Sequence, residues 1–532
     1  MKEFKPHEKK KKEMADIDQV KVDADVARVQ GDTLSADALS GTKKVLVLLV
    51  DFNDVSIQNT EAVWSDRFFG TSTGTVRNYF NEVSNGRLTL APANETAGLA
   101  NDGVIKVKLN YNHPNTGSNT STANKTIVTN AITAADPYVN FSSFDTDGDG
   151  DVEKDELYIV TVTAGYEASY SSSYSPSVWA HHWYSSSSTR DGKTLRGEYV
   201  QQGELHGSHM ATMGVLCHEL AHSMTLPDLY DTDQSSAGVG IHSLMAAGSW
   251  GRVSGQTPAH LDAWSKQLLG FVNPTVITSE GNYTYTLNAF PGVYNTIRIN
   301  AGTASSEYFL LENRQFDGYD AGLTRSVTGS GGIAIWHIDE SMTNNADDTH
   351  RKVDLEESNQ AALGYSQLDS DISSGYDHYY YSGNVSQWSP TTTPNSNLYS
   401  GAKTYVKVTA NSVSGNAMTV NVLYDRTAPT APSNLTAKSP TSSSMVLNWT
   451  ASTDTVGVKE YRIYRNGSLR ATVSGTSTTF TDTNLVMYQL YSYQVAAYDA
   501  MGNKSSYSNT ASSYTYGSVD DDRIAPANTL QE

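Results

Sequence analysis

The chain has 532 residues, which at roughly 150 residues per domain is the length of three or four folded units. Thirty-seven Lys and Arg against 57 Asp and Glu leave a net charge of −20, which excludes a phosphate-neutralising surface and with it a nucleic-acid partner. The longest apolar runs, such as Val45 to Val50, fall far short of the roughly 20 residues of a membrane span.

Residues 1–40 are polar and contain Lys9 to Lys12, but no apolar stretch follows the lysines, so the segment does not read as a secretory signal. The first strand is expected at Lys44 to Phe52, a continuous apolar run of the kind buried on both faces. Helical patterns at Thr75 to Val83, Lys125 to Ala135, Met210 to Met224 and Pro258 to Leu269 then mix with strand patterns such as Leu157 to Thr163. From 276 to 425 the pattern turns to short strands, among them Tyr283 to Leu287, Tyr308 to Leu311 and Gly332 to Ile338, divided by Gly, Asn, Asp and Ser clusters. Thr427 to Pro432 is a stiff linker carrying two prolines, and about seven short strands follow from Leu435 to Tyr514. The abundance of Tyr (32) and Gly (40) and the 18% of charged residues agree with a largely β protein.

Cys217-His218-Glu219-Leu220-Ala221-His222 is an HExxH inside one of the helical patterns. At i and i+4 the two imidazoles share a helix face, about 6 Å apart at Cβ, and can converge on one ion. Glu219 stands beside them, placed to hold a water. A catalytic zinc takes three protein ligands and keeps a position for water. Asp228, six residues after His222, has the spacing of the third ligand in the pattern HExxHxxGxxH. Pro227 is expected to end the helix and turn the chain back. Asp231, Asp233 and Asp262 stay open as alternatives. Cys217 points about 100° away from His218 and reads as a core thiol; it is the single cysteine, so no internal disulfide can form. His181, His182 and Tyr230 are candidates for stabilising an oxyanion.

Asp145-Thr-Asp-Gly-Asp-Gly-Asp-Val-Glu-Lys-Asp-Glu156 matches a twelve-position calcium loop. Asp145, Asp147 and Asp149 fall at positions 1, 3 and 5, Gly150 at the sharp turn, Asp151 at the backbone-carbonyl position and Glu156 at the closing bidentate position. Leu157 to Thr163 reads as a strand, so the loop belongs to a helix-loop-strand unit, where an ion pins structure rather than opening a helix pair. At least one structural Ca2+ is expected. Asp231 with Asp233, and Asp354 with Glu356 and Glu357, are further acidic clusters.

His218-Glu-Leu-Ala-His222 followed by Leu226-Pro-Asp-Leu-Tyr-Asp231 resembles the immune inhibitor A family of secreted bacterial zinc metallopeptidases. Val76 to Leu88, Ser243-Leu-Met-Ala-Ala-Gly-Ser-Trp250, Tyr308 to Gln315 and Gly332 to Asp339 are similar to further stretches of that family, the second of them to its Met-turn. The resemblance, from about Gly41 to Tyr424, implies a zinc endopeptidase with His218, His222 and Asp228 as ligands of one catalytic Zn2+, Glu219 as general base and Met245 in the Met-turn. One position departs from the pattern. Thr225 replaces the family's glycine, and a β-branched residue is strained at positive φ, so another turn conformation is expected there. Trp449, Tyr461 and Val495 to Ala500, with Tyr491 at the tyrosine corner, resemble a fibronectin type III domain.

The expected architecture is thus multidomain. A polar segment at 1–40, read as a propeptide remnant, precedes an α+β metzincin-like zinc peptidase domain at 41–275 that carries the calcium loop. An all-β sandwich subdomain follows at 276–425, then a fibronectin type III β-sandwich at 428–516 and a tail at 517–532. The expected substrates are proteins or peptides, with polysaccharide or surface binding by the C-terminal domain. The expected location is extracellular, the signal peptide being absent from this sequence. The competing reading is a catalytically silent extracellular adhesion protein with a structural zinc site. An intact Glu219 argues against it, because a structural site usually closes with four protein ligands.

Overall fold

A computed structural model describes residues 38–119, 122–251, 254–300, 306–325, 330–370 and 378–516. Almost all of the 1–40 segment and the whole 517–532 tail lie outside the described residues.

The apolar run at the start becomes β1 (Gly41–Asp51), and the residues from Val45 to Val50 are fully buried. Two helices follow, α1 (Glu61–Phe69) and α2 (Val76–Val83), capped by the Thr60 and Thr75 hydroxyls; α1 has no counterpart among the sequence expectations. Then come β2 (Leu88–Pro92), β3 (Val104–Lys108), α3 (Thr122–Ala135) and β4 (Leu157–Glu167). The short β5 (Ser177–Val178) and β6 (His181–Tyr184) precede β7 (Glu198–His206) and β8 (His209–Met210). These strands form one eight-stranded sheet in which β1 lies parallel between β4 on one side and β2 and β3 on the other. β4 pairs in parallel with β7, and β6 lies antiparallel to β7. Burial on both faces accounts for the unbroken apolar run of β1 from Val45 to Val50 and for the largely apolar β4. Helix α4 (Met213–Ser223) follows β8, and α5 (Ala263–Leu268) begins at Asp262, whose carboxylate accepts from Ser265 N at 2.9 Å. Both are shorter than the helical patterns that contain them.

The region after 275 is a β-sandwich. Strands 275–277, 297–299, 307–314, 332–339 and 353–355 make one sheet; strands 281–288, 417–424, 406–410 and 387–388 make the other. Side chains of 307–314 alternate. Phe309 and Leu311 join the sandwich core, whereas Tyr308 and Leu310 join the core built around β1. Trp336 and Ile338 likewise face the β1 core, and Ile333 and Ile335 face the sandwich. Each such side chain contributes about 1.5–3 kcal/mol by leaving water, so this sheet is a wall shared by two cores.

The same seam buries charge. Arg314, about 1% exposed, grips both oxygens of Asp320 at 2.5 and 2.8 Å and donates to His242 O at 2.6 Å. Lys266 pairs with Glu312 at 3.1 Å, and Trp336 and Tyr294 donate to the same carboxylate. Two cations balance two anions, which is the condition for burying any of them.

A second buried group gives a pH dependence. His337 sits between Glu307 Oε1 at 2.8 Å and Glu356 Oε1 at 3.2 Å. Burial alone would lower its pKa, but the two carboxylates outweigh burial and push it up to about 9 from 6.5. The stabilisation is therefore complete below about pH 6.5 and is lost as pH rises toward about 9. The Tm difference between the parent chain and His337→Gln is expected to be larger at pH 6 than at pH 9.5; an equal difference would remove the ion pair from the account.

Residues 433–514 form a second, separate sandwich of three and four strands. Tyr491 Oη accepts from Val486 N at 3.0 Å, the bond of a tyrosine corner.

Candidate metal centre and active site

Helix α4 runs through the interior. Gly214 lets it do so: a Cβ there would lie 1.9 Å from Ser249 O. His218 and Glu219 are each only 8% exposed, so their polar atoms need partners. His218 Nδ1 bonds Leu244 O at 2.9 Å, and His222 Nδ1 bonds Leu226 O at 2.7 Å. Those carbonyls fix the tautomer and leave both Nε2 lone pairs pointing inward. The two Nε2 atoms are 3.1 Å apart, and Asp228 Oδ1 lies 3.1 Å from one and 3.3 Å from the other. Three acceptor atoms so close repel one another unless positive charge sits among them. Burial would raise the Asp228 pKa, yet the two histidines hold it well below the ordinary carboxylate range; Asp228 Oδ1 is buried without a well-formed hydrogen bond. The donor set of two imidazoles and one carboxylate fits a zinc ion.

Helix α4 ends at Ser223 and not at Pro227 as expected, so the loop that brings Asp228 round begins at Met224. Leu226 N bonds Ala221 O at 3.1 Å and Thr225 N bonds His222 O at 2.8 Å, the paired bonds of a Schellman motif. Thr225 takes its left-handed position with φ +78°. The expectation of a different turn is corrected: the paired bonds and the fully buried Leu226 hold the β-branched residue in the conformation that glycine prefers. Thr225→Gly is expected to raise stability by about 1 kcal/mol, seen as a higher Tm; a lower Tm would mean that the strain is not there.

Of the alternative acids, Asp231 accepts from Asp233 N, Ser235 Oγ and Ser236 N, Asp233 from Ser235 N, and Asp262 caps α5 and holds Ser243 Oγ. Met245 is fully buried. Its carbonyl accepts from Leu229 N at 2.8 Å, so the segment that holds His218 through Leu244 also holds the chain just after Asp228. Cys217 is fully buried in the same core, and burial pushes its thiol pKa well up.

Glu219 Oε2 accepts from the backbone N of His182 at 2.9 Å, which aims the carboxylate from the side of β6. His182 Nε2 lies 2.6 Å from Glu198 Oε1, and its ring centroid is 6.2 Å from that of His222. His181 is occupied elsewhere, with Trp179 O at 2.7 Å and Tyr199 Oη at 3.2 Å; burial lowers its pKa to about 4. The Tyr230 ring lies 6.4 Å from that of His218.

Sequence reasoning missed Glu167. It is buried at the end of β4, accepts from Ala180 N, Ser169 N and Gly203 N, and burial pushes its pKa up to about 7. Through Ala180 it fixes the backbone that meets Glu219. The legible signal was a lone acid closing an apolar strand.

The acidic loop places its carboxylates in two groups: Asp145, Asp147 and Glu156 in one, Asp149, Asp151 and Glu153 in the other. Glu153 was not among the expected ligands. Glu156 Oε1 accepts from Thr146 N at 2.5 Å, and Asp145 from Gly148 N and Gly150 N. Lys193 pairs with Asp145 and Arg196 with Asp151. The loop leads directly into β4; a one-turn helix at 141–144 precedes it, and α3 ends earlier, at Ala135.

Residues 33–271 match the catalytic domain of the immune inhibitor A peptidase M6 family. Residues 33–271 are an immune inhibitor A peptidase domain. Residues 430–514 match the fibronectin type III domain. The pre-pro-metalloprotease PrtV of Vibrio cholerae is 25% identical over 275 residues, 43% of this chain and 30% of that protein. Chitinase A1 of Niallia circulans is 44% identical over 105 residues, 19% of this chain and 15% of that protein. A solved Fn3-like protein from Clostridium thermocellum is 29% identical and covers 16% of this chain and 92% of its own, with a TM-score of 0.15. The chain thus spans less than a third of either curated relative. The immune inhibitor A domain carries α4, Asp228 and the acidic loop within its matched residues.

Proposed function

We propose that this chain is a secreted, zinc-dependent endopeptidase with a metzincin-like centre, stabilised by calcium. The observation that carries it is the convergence of His218, His222 and Asp228 beside a carboxylate, Glu219, that is anchored from β6 and not used as a fourth ligand. The metal, when bound, polarises the scissile carbonyl and acidifies water. Glu219 takes the proton of the attacking water and passes it to the leaving amine. The His182 backbone N–H keeps that carboxylate aimed, and the Leu244 and Leu226 carbonyls keep the imidazoles turned inward. His182, whose ring centroid lies 6.2 Å from that of His222, is the candidate for steadying the oxyanion. Met245 supports the metzincin reading through its carbonyl bond to Leu229.

The calcium reading rests on the carboxylate pattern from Asp145 to Glu156 and its joint with β4. Likeness to a chitinase supports polysaccharide or surface binding by the C-terminal sandwich. Among the described residues, no helix is long and apolar enough to cross a membrane.

Casein hydrolysis tests the reading. Activity should vanish on dialysis against 1,10-phenanthroline and return with about one equivalent of zinc, while Asp147→Ala should lose one calcium equivalent and lower the Tm. Activity that survives zinc removal would end the zinc proposal, and an unchanged calcium count would end the loop's part in it.

A further inference from the structure

A third set of acids stands far along the chain from both metal readings, at the joint between the two β-sandwiches. Asp425 follows the last strand of the first sandwich, 417–424. Asp454 lies in the loop between strands 444–450 and 458–465 of the second, and Asp499 ends strand 490–499. Their carboxylate oxygens lie within 4.8 Å of one another. This is not a surface patch: Asp425 is 0% exposed and Asp499 1%.

Each carboxylate accepts from its own loop's backbone through Oδ1. Asp425 Oδ1 accepts from Thr427 N at 3.2 Å, and Asp454 Oδ1 from Val456 N and Gly457 N at 2.9 Å. Asp499 Oδ1 accepts from Met501 N at 2.8 Å and Asn503 N at 2.9 Å. Asn503 Nδ2 bridges Asp499 Oδ2 at 2.7 Å and the Asp425 carbonyl at 3.0 Å. What remains is Oδ2 of Asp425 and Oδ2 of Asp454, both buried with no hydrogen-bond partner. Among the described residues no Lys, Arg or His pairs with any of the three. The adjacent Arg426 turns away to Glu280 at 3.3 Å and to the Tyr424 ring.

Buried carboxylates with free oxygens and no cationic side chain call for a cation. Oxygen-only, carboxylate-rich ligation suits a hard divalent ion, and flexible loop ligands suit calcium better than the strict octahedron of magnesium. We propose that Asp425, Asp454 and Asp499 bind a Ca2+ ion that joins the first sandwich to the fibronectin type III domain. Two ligands come from the C-terminal domain and one from the end of the strand before it, so the ion clamps the linker at 426–432 and fixes the angle between the domains. The site stands independently of the peptidase reading.

The test counts calcium on the full chain and on Asp425→Asn after dialysis at about 2 mM calcium, the range of extracellular modules, and follows trypsin cleavage at Arg426 with and without EGTA. The parent chain should bind one equivalent more than Asp425→Asn and be cut at least ~10-fold faster in EGTA, a difference of about 1.4 kcal/mol in protection. The variant should be cut at one rate in both, because removing one charge also relieves the repulsion. Asp454→Asn, at a position only partly buried, gives the same comparison should Asp425→Asn not fold. Equal calcium counts, or a cleavage rate in the parent that ignores EGTA, would overturn the proposal and leave the three acids sharing protons instead.

Discussion

Glu219→Gln is expected to lower casein hydrolysis by about 10³-fold, the weight of a general base, while zinc content stays at that of the parent. The substitution is chosen because glutamine keeps an acceptor for the His182 N–H that now bonds Glu219 Oε2 at 2.9 Å; only the capacity to take a proton is lost. The pH profile supplies the second readout, since the limb that reports the base should disappear. Residual activity above about a tenth of the parent's, with zinc retained, would place the general base elsewhere.

Asp228→Ala is expected to remove both metal and hydrolysis. Its Oδ1 is the atom that faces both Nε2 groups, and without it two imidazole lone pairs 3.1 Å apart remain. The loss in zinc affinity should exceed the ~10- to 100-fold that removal of an outer-shell partner costs. Equilibrium dialysis against a graded zinc buffer reads it directly. Stoichiometric zinc with normal turnover would take Asp228 out of the site, and Asp231 and Asp233, already committed to Ser235 and Ser236, would have to be reconsidered.

Much of this was readable before any coordinates because the informative patterns are short-range. The HExxH spacing is a helix-periodicity statement, the acidic loop is a single contiguous motif, and β1 announces itself by apolar residues on both faces. What escaped was of two kinds. Glu167 and Glu198 act through contacts across the sheet, with Ala180 and His182, and no local rule links such positions. Thr225 escapes for the opposite reason: the local preference against positive φ yields to the helix-end bonds around it, which outweigh the strain. The alternation of 307–314 was visible as strand, but its meaning, one face for each of two cores, depends on what packs on either side.

That shared wall bears on how such a chain can be inherited. The peptidase likeness ends at residue 271, yet the core around β1 continues into Tyr308, Leu310, Trp336 and Ile338, and Arg314 reaches back to the carbonyl of His242. A recombination event that severed the gene near 271 would leave an unsealed apolar flank and orphaned charges on both products, so the first two units must travel together. The second sandwich, with a core of its own, is the tradable part, and any exchange that kept the clamp would have to carry an acid at the last position before the linker.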